Sequence, residues 1–271
     1  MKKVLLLCDG SNFPNGAFRL VQNFYSGKEV LVTGVFLNAT QYSRLWLHPV
    51  DTSGDIISFL TKGSAHTIAK SGAVFAEMCE KAHLQYNIHQ HDDFDIAEVQ
   101  RETGFADAMF MSSEVFFHHF ENAQPNRYTK MILHHAKCPV VLVPEEFTMP
   151  EKIILSYDGS EESIYAIKQF ACLFPEWCDK DAQLVYANNK GEDIPHDEYI
   201  KELAGAHFSR LTFSKLPFDG AKYFSTWISE EKNSILVSGS FTRPGISSYL
   251  KQSFITGVVA NHQIPVFIAH A

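Results

Sequence analysis

The chain has no long apolar run, no paired-cysteine spacing and no cluster of basic residues. Without a stretch of about 18 apolar residues, no helix is expected to span a bilayer. The apolar run after Met1-Lys2-Lys3 stops at Cys8, too short for the core of a secretory signal, so a cytoplasmic protein is expected. Five cysteines, with no C-x-x-C, argue against a disulfide framework and suit a reducing compartment. Cys8 and Cys138 stand in apolar runs and read as small buried hydrophobes. Positive charge is also short: 23 Lys and Arg against 31 Asp and Glu give a net charge of −8. It is evenly spread, with 12 basic and 16 acidic side chains before residue 151 and 11 and 15 after. Nucleic acid is therefore not expected as the main partner, because phosphate contacts need clustered Lys and Arg. No G-x-S-x-G elbow and no H-E-x-x-H motif is present.

What is present is a repeat. Val4-Leu5-Leu6-Leu7-Cys8 runs into Asp9-Gly10-Ser11, and Ile153-Ile154-Leu155-Ser156-Tyr157 runs into Asp158-Gly159-Ser160. An unbroken apolar run ending in a turn suits a strand buried on both faces, as in a parallel sheet. Ser11 and Ser160 suit the N-cap of a following helix. Each aspartate then lies at the carboxyl end of a strand, the edge where open α/β sheets bind ligands.

The chain of 271 residues reads as two units, 1–146 and 150–271. In the first, strands are expected at Val4–Cys8, Val30–Leu37, Gln85–His89, Asp107–Ser113 with its exit turn, and Cys138–Val143. Helices fall between them at 12–25, 64–82, 96–102 and 126–135, with Ile68, Val74, Phe75 and Met78 inward in the second. Residues 38–62 are an irregular insertion. In the second unit, strands are expected at Ile153–Tyr157, Ala182–Ala187, Leu211–Leu216, Ser234–Ser240 with its turn, and Ile264–Ala269. Its helices follow Ser160 and cover 197–208, 221–231 and 247–261, with Tyr223, Phe224 and Trp227 as core. Asp107 to Asn233, Ser112 to Ser238 and Pro139 to Pro265 are each 126 residues apart, whereas Asp9 to Asp158 is 149. The last 39 residues of each unit thus align without a gap, and the surplus lies at the insertion. Alternating strands and helices imply two βαβ-built parallel sheets.

These residues resemble the universal stress protein (UspA) family in its tandem two-domain form. The resemblance rests on the two Asp-Gly-Ser turns with their strands. It rests also on Ala136-Lys137-Cys138-Pro139-Val140-Val141-Leu142-Val143 and His262-Gln263-Ile264-Pro265-Val266-Phe267-Ile268 at the far end of each unit. It implies an α/β fold of two flavodoxin-like or Rossmann-like domains, each a mostly parallel five-stranded sheet with flanking helices. It also implies a stress-response role as sensor or signalling protein, acting by ligand binding or association rather than turnover. One subgroup of the family binds ATP through G-x-x-G-x9-G-[ST] after the fourth strand, where glycines admit backbone N–H groups to the phosphates. Here that pattern falls on Gly239, Thr242, Gln252 and Ser253, with Ser240 beside the first. Two of the three glycines are replaced. In the first unit it falls on Ser113, Phe116, Asn126 and Arg127, with no glycine left. An ATP or AMP site implied by the resemblance would therefore use Asp158, Gly239, Ser240, Thr242 and Ser253. The last strands of the two units are expected to pair, making an intramolecular pseudo-dimer. A further homodimer stays open.

Other readings stand beside these. Asp9 and Asp158 suit turn capping as well as ligand contact. Ser238-Gly239-Ser240 reads as a capped helix start rather than a nucleophile. His89 and His91 share one face of a strand end, as two zinc ligands would, and His118-His119 follows. No fixed metal motif joins them, so no metal is expected. Tyr42, Trp46, Leu47 and His48 in the insertion suit either a ligand lid or interface packing. The lost glycines favour the alternative function, a scaffold or a sensor of another small molecule. A small hydrolase is the third reading.

Overall fold

The computed structural model describes residues 1–9, 12–37, 69–91, 95–117, 125–188, 190–239 and 257–269. In chain order the first half carries β1 (Lys2–Cys8), α1 (Asn15–Phe24), β2 (Val30–Leu37), α2 (69–81), β3 (Gln85–His91), α3 (Ile96–Gly104), β4 (Ala108–Ser112), α4 (Arg127–His135) and β5 (Val140–Val143). The second carries β6 (Lys152–Ser156), α5 (Glu161–Leu173), a 3-10 turn at Pro175–Asp179, β7 (Asp181–Ala187), α6 (Asp197–His207), β8 (Arg210–Leu216), α7 (Gly220–Ile228), β9 (Ser234–Ser238), a helical segment at 257–260 and β10 (Val266–Ile268). The insertion, with Tyr42, Trp46, Leu47 and His48, and most of the expected helix 247–261 lie outside the described residues.

The ten strands of the described residues form one sheet, ordered β3-β2-β1-β4-β5-β10-β9-β6-β7-β8. The two five-stranded parallel sheets expected from the sequence are the two halves of this one sheet. Each half is parallel throughout, and the halves fuse where β5 and β10 pair antiparallel. At that seam Val140 faces Ile268, Val141 faces Phe267 and Leu142 faces Val266. The sequence asked for this pairing: both strands are wholly apolar and buried, so neither can serve as an exposed edge. β4 and β9 match at the 126-residue offset read from the sequence, as do the starts of β5 and β10.

The sheet divides the core by face rather than by half. Val4, Leu6 and Cys8 of β1 join a layer that includes Val141, Ile153, Leu155 and Phe267; Leu5 and Leu7 join the opposite layer with Val140, Ile154 and Ile268. The first layer is aromatic at the seam. Phe24 of α1 stacks on Phe174 beyond α5 at 4.2 Å and meets Trp177 at 4.1 Å. Phe267 meets Phe170 edge-on at 5.3 Å. Lys2 donates from Nζ to the Leu173 carbonyl, and Lys28 pairs with Glu176 at 3.0 Å. On the opposite face Ile132 and Leu133 of α4 share a layer with Val258 and Val259, their counterparts at the same offset.

Two inward assignments are corrected. Val74 is exposed, because the buried face of α2 is set by Ser71, Phe75 and Cys79, spaced four apart. Tyr223 is exposed while Phe224 is buried, so the phase of α7 puts the adjacent ring outward. Cys8 and Cys138 are buried free thiols, as expected, and burial pushes the Cys138 thiol up to about 12.

Candidate functional site

The strand order places one crevice in each half. The chain runs outward from β1 to β2 and β3, then returns to lay β4 on the other side of β1. The same reversal separates β6 from β9. A doubly wound sheet binds ligands outside the carboxyl ends of its strands at such a switch point. Asp9 stands after β1 at the first, and Asp158 after β6 at the second. Because β5 and β10 are antiparallel, the two crevices open at opposite edges of the sheet.

The first crevice is filled by the chain. Asp9 is 2% exposed. Its Oδ1 accepts from the Asn12 N–H at 3.0 Å and its Oδ2 from the Phe117 N–H at 2.9 Å. Phe117 has no exposed surface and packs at a tilt against Tyr128 at 4.9 Å and Phe116 at 4.5 Å. Its φ is +50°, a left-handed value that a bulky residue adopts only under constraint. Asn126 fastens the same strip, donating from Nδ2 to the Phe116 carbonyl at 2.6 Å while its Oδ1 caps α4 at the Thr129 N–H. Ser112 Oγ accepts from the Glu114 and Val115 N–H groups. The Glu145 carboxylate sits on the first turn of α1, accepting from the Gly16 N–H at 3.2 Å. Gly16 is required there, since a Cβ would lie 2.0 Å from the Pro144 carbonyl oxygen. Burial first, then Asp9 and Glu145, push the Cys8 thiol well above its ordinary value. The capping reading of Asp9 is therefore the one this geometry supports.

The second crevice differs at the same positions. Asp158 is exposed, and its Oδ1 accepts from the Ser160 N–H at 3.0 Å. Ser160 caps α5, accepting at Oγ from the Ser163 N–H at 3.3 Å, with Glu161 and Glu162 in the favourable first turn. Gly159, at φ +82°, lies under Pro195, whose carbonyl accepts from the Tyr157 hydroxyl at 2.8 Å. The chain that exits β7 thus crosses over the Asp158 turn, and Asp193 is held from beneath by Lys215 of β8 at 2.6 Å. Ala187, Leu216 and Phe218 stand partly buried at the carboxyl ends of β7 and β8, in register as Ala187 with Leu216. They form an apolar ledge packed on the core layer that holds Ile154 and Leu236.

Gly239 ends β9 against the first turn of α5. A Cβ there would lie 2.6 Å from the Glu162 carbonyl carbon and from the Ser163 nitrogen. The close approach that demands glycine is made by the protein's own helix. Of the expected site residues, Asp158 and Gly239 are brought to the β6–β9 switch point; Ser240, Thr242 and Ser253 lie outside the described residues.

His89 and His91 do share a face. His89 Nδ1 lies 2.7 Å, and His91 Nε2 3.2 Å, from the same Glu102 oxygen. Among the described residues no group of His, Cys, Asp or Glu is arranged to hold a metal ion. Three contributors to the first crevice escaped the sequence: Phe117, Glu145 and His262. The His262 Nδ1 of the second half lies 2.9 Å from Ser113 Oγ of the first. The bulk of Phe116 at a glycine position was the one local signal that this crevice is occupied.

A switch-point crevice in each half of a tandem, doubly wound α/β chain defines the structural class. Solved structures that share this fold include universal stress proteins. One from Archaeoglobus fulgidus superposes with a TM-score of 0.73 at 13% identity, over 99% of this chain and 96% of that one. A protein of unknown function from Pseudomonas aeruginosa gives 0.56 at 11% identity over 100% and 92%, and a proposed universal stress protein from the same species gives 0.56 at 10% over 100% and 93%. At these identities the likeness establishes the fold. No protein-family model and no curated protein sequence matches the chain.

Proposed function

We propose that this chain is a stress-response sensor or signalling protein that works by binding a ligand in its second half, without turnover. The observation that carries this is the contrast between two equivalent aspartates. Asp9 is buried on two backbone amides, whereas Asp158 is exposed at its switch point beside the Ala187–Leu216–Phe218 ledge. An exposed carboxylate next to a flat apolar surface suits an adenosine, with the ribose hydroxyls on the acid and the base on the ledge. On this reading Asp158, Gly239, Ser240, Thr242 and Ser253 hold ATP or AMP. Residues 1–146 and 150–271 are the two units, and the β5–β10 seam does inside one chain what dimerisation does between two. The compartment is the cytoplasm; among the described residues no helix is long and apolar enough to cross a membrane.

The second reading is a scaffold, or a sensor of a small molecule other than a nucleotide. It is favoured by Gly239, whose missing Cβ is accounted for by the α5 backbone, leaving no glycine among the described residues of this crevice that a phosphate alone explains. Isothermal titration with ATP and with AMP, on the wild type and on Asp158→Ala, separates the two. Heat on the wild type that Asp158→Ala weakens tenfold or more supports the nucleotide. No heat at millimolar nucleotide removes it, and native mass spectrometry of the purified protein then shows what is carried.

A further inference from the structure

We propose that the first crevice is self-occupied: the Phe117 segment stands in for a ligand at Asp9, and Glu145 stands in for an anion at α1. The molecule then has one responsive crevice, and its first half is a fixed partner.

Three independent observations meet at this place. Asp9 spends both oxygens on the chain's own amides, one of them 108 residues away in sequence. Phe117 is held at φ +50° with its ring fully enclosed, a conformation that persists only when surrounding contacts over-determine it. Glu145 presents a carboxylate to the α1 amides, where the helix end attracts negative charge. Its other oxygen, Oε1, is buried with no hydrogen-bond partner among the described residues.

The remaining side of the crevice is closed from the other half. His262, itself at φ +46°, reaches back across the seam to Ser113 at the end of β4. The second half lacks these parts in sequence. At the 126-residue offset, Phe116 and Phe117 become Thr242 and Arg243, Ser113 becomes Gly239, and His262 corresponds to Ala136. The plug and its clasp are thus specific to one half and are not a feature of the fold. This inference is independent of which ligand the second half takes.

Amide hydrogen exchange on the intact chain tests it. If the crevice is permanently occupied, the Phe117 amide exchanges only with global unfolding, within about tenfold of the β1 amides. It then also shows their dependence on denaturant. Exchange at Phe117 a thousandfold faster than β1, and insensitive to denaturant, would mean a gate that opens in the native state and would overturn the proposal. Asp9→Asn is the second arm. It should speed exchange at Phe117 and Asn12 at least tenfold while leaving the Ser160 amide unchanged. Unchanged exchange at Phe117 and Asn12 in that variant also overturns it, and the wild-type measurement decides alone if the variant does not fold.

Discussion

Val141 and Phe267 face each other at the centre of the β5–β10 seam, and they are equivalent residues of the two halves. Val140 pairs with Ile268 and Leu142 with Val266, so the register is symmetric about this one pair. A local twofold axis passes between them. The two residues differ in bulk, and the larger ring reaches into the Phe170–Phe174 cluster.

Phe267→Ala should therefore destabilise the whole molecule. Removing a fully buried aromatic side chain costs about 3–5 kcal/mol. Because Phe174 also touches Phe24 and Phe110 of the first half, the loss is shared. Urea unfolding followed by fluorescence and by circular dichroism should give one coincident transition, shifted to lower urea. Two separated transitions in the wild type would show that the halves unfold independently.

The two aspartates should respond unequally. Asp9→Ala strands the Asn12 and Phe117 amides, and a buried amide without a partner costs about 1–3 kcal/mol. Asp158→Ala removes an exposed acceptor that water replaces, at a cost below about 1 kcal/mol. Equal losses in chemical denaturation would contradict the difference described between the crevices.

Gly239→Ala separates packing from binding. The added Cβ would press on the α5 backbone at 2.6 Å, and overpacking of that kind costs about 1–3 kcal/mol. The melting temperature should fall in ligand-free protein. A variant as stable as the wild type that only lost ligand affinity would assign the glycine to the ligand instead.

His262 makes stability depend on pH. Burial lowers its pKa, with Glu114 opposing, so the folded state holds its proton less tightly than the unfolded chain, whose value is near 6.5. The contribution is complete above that value and is lost as pH falls through it toward the folded pKa. His135 shifts in the same direction through burial, then His134 and Lys137, and adds a slope of the same sign. His262→Gln should flatten the fall in melting temperature as pH drops below about 6.5, without abolishing it. An unaltered slope would remove His262 as a contributor.

Much of the fold was legible because parallel strands buried on both faces must be nearly continuous apolar runs. Val30–Leu37 was bounded as it stands in the structure, and β9 begins at the expected Ser234. Helix phase was less legible. In α2 the sequence offers Val74 and Phe75 side by side, and the packing of Phe75 against Phe18, Phe36 and Tyr86 decides between them. The 3-10 turn at Pro175–Asp179 has no periodic signature, yet it buries Trp177 against Phe24. At the site, the Asp9 and Asp158 turns could be read because their bonds to Asn12 and Ser160 are local. Phe117 and Glu145 could not, since their partners lie 108 and 129 residues away and no spacing rule links them.

The seam also changes what a fragment of this protein would do. Cut apart, each half would end in a short, fully apolar strand, Val140–Val143 or Val266–Ile268, with one row of amides and carbonyls newly bare. Such a strand recruits whatever chain can zip onto it. Joining the halves lets each of these strands cover the other within one chain.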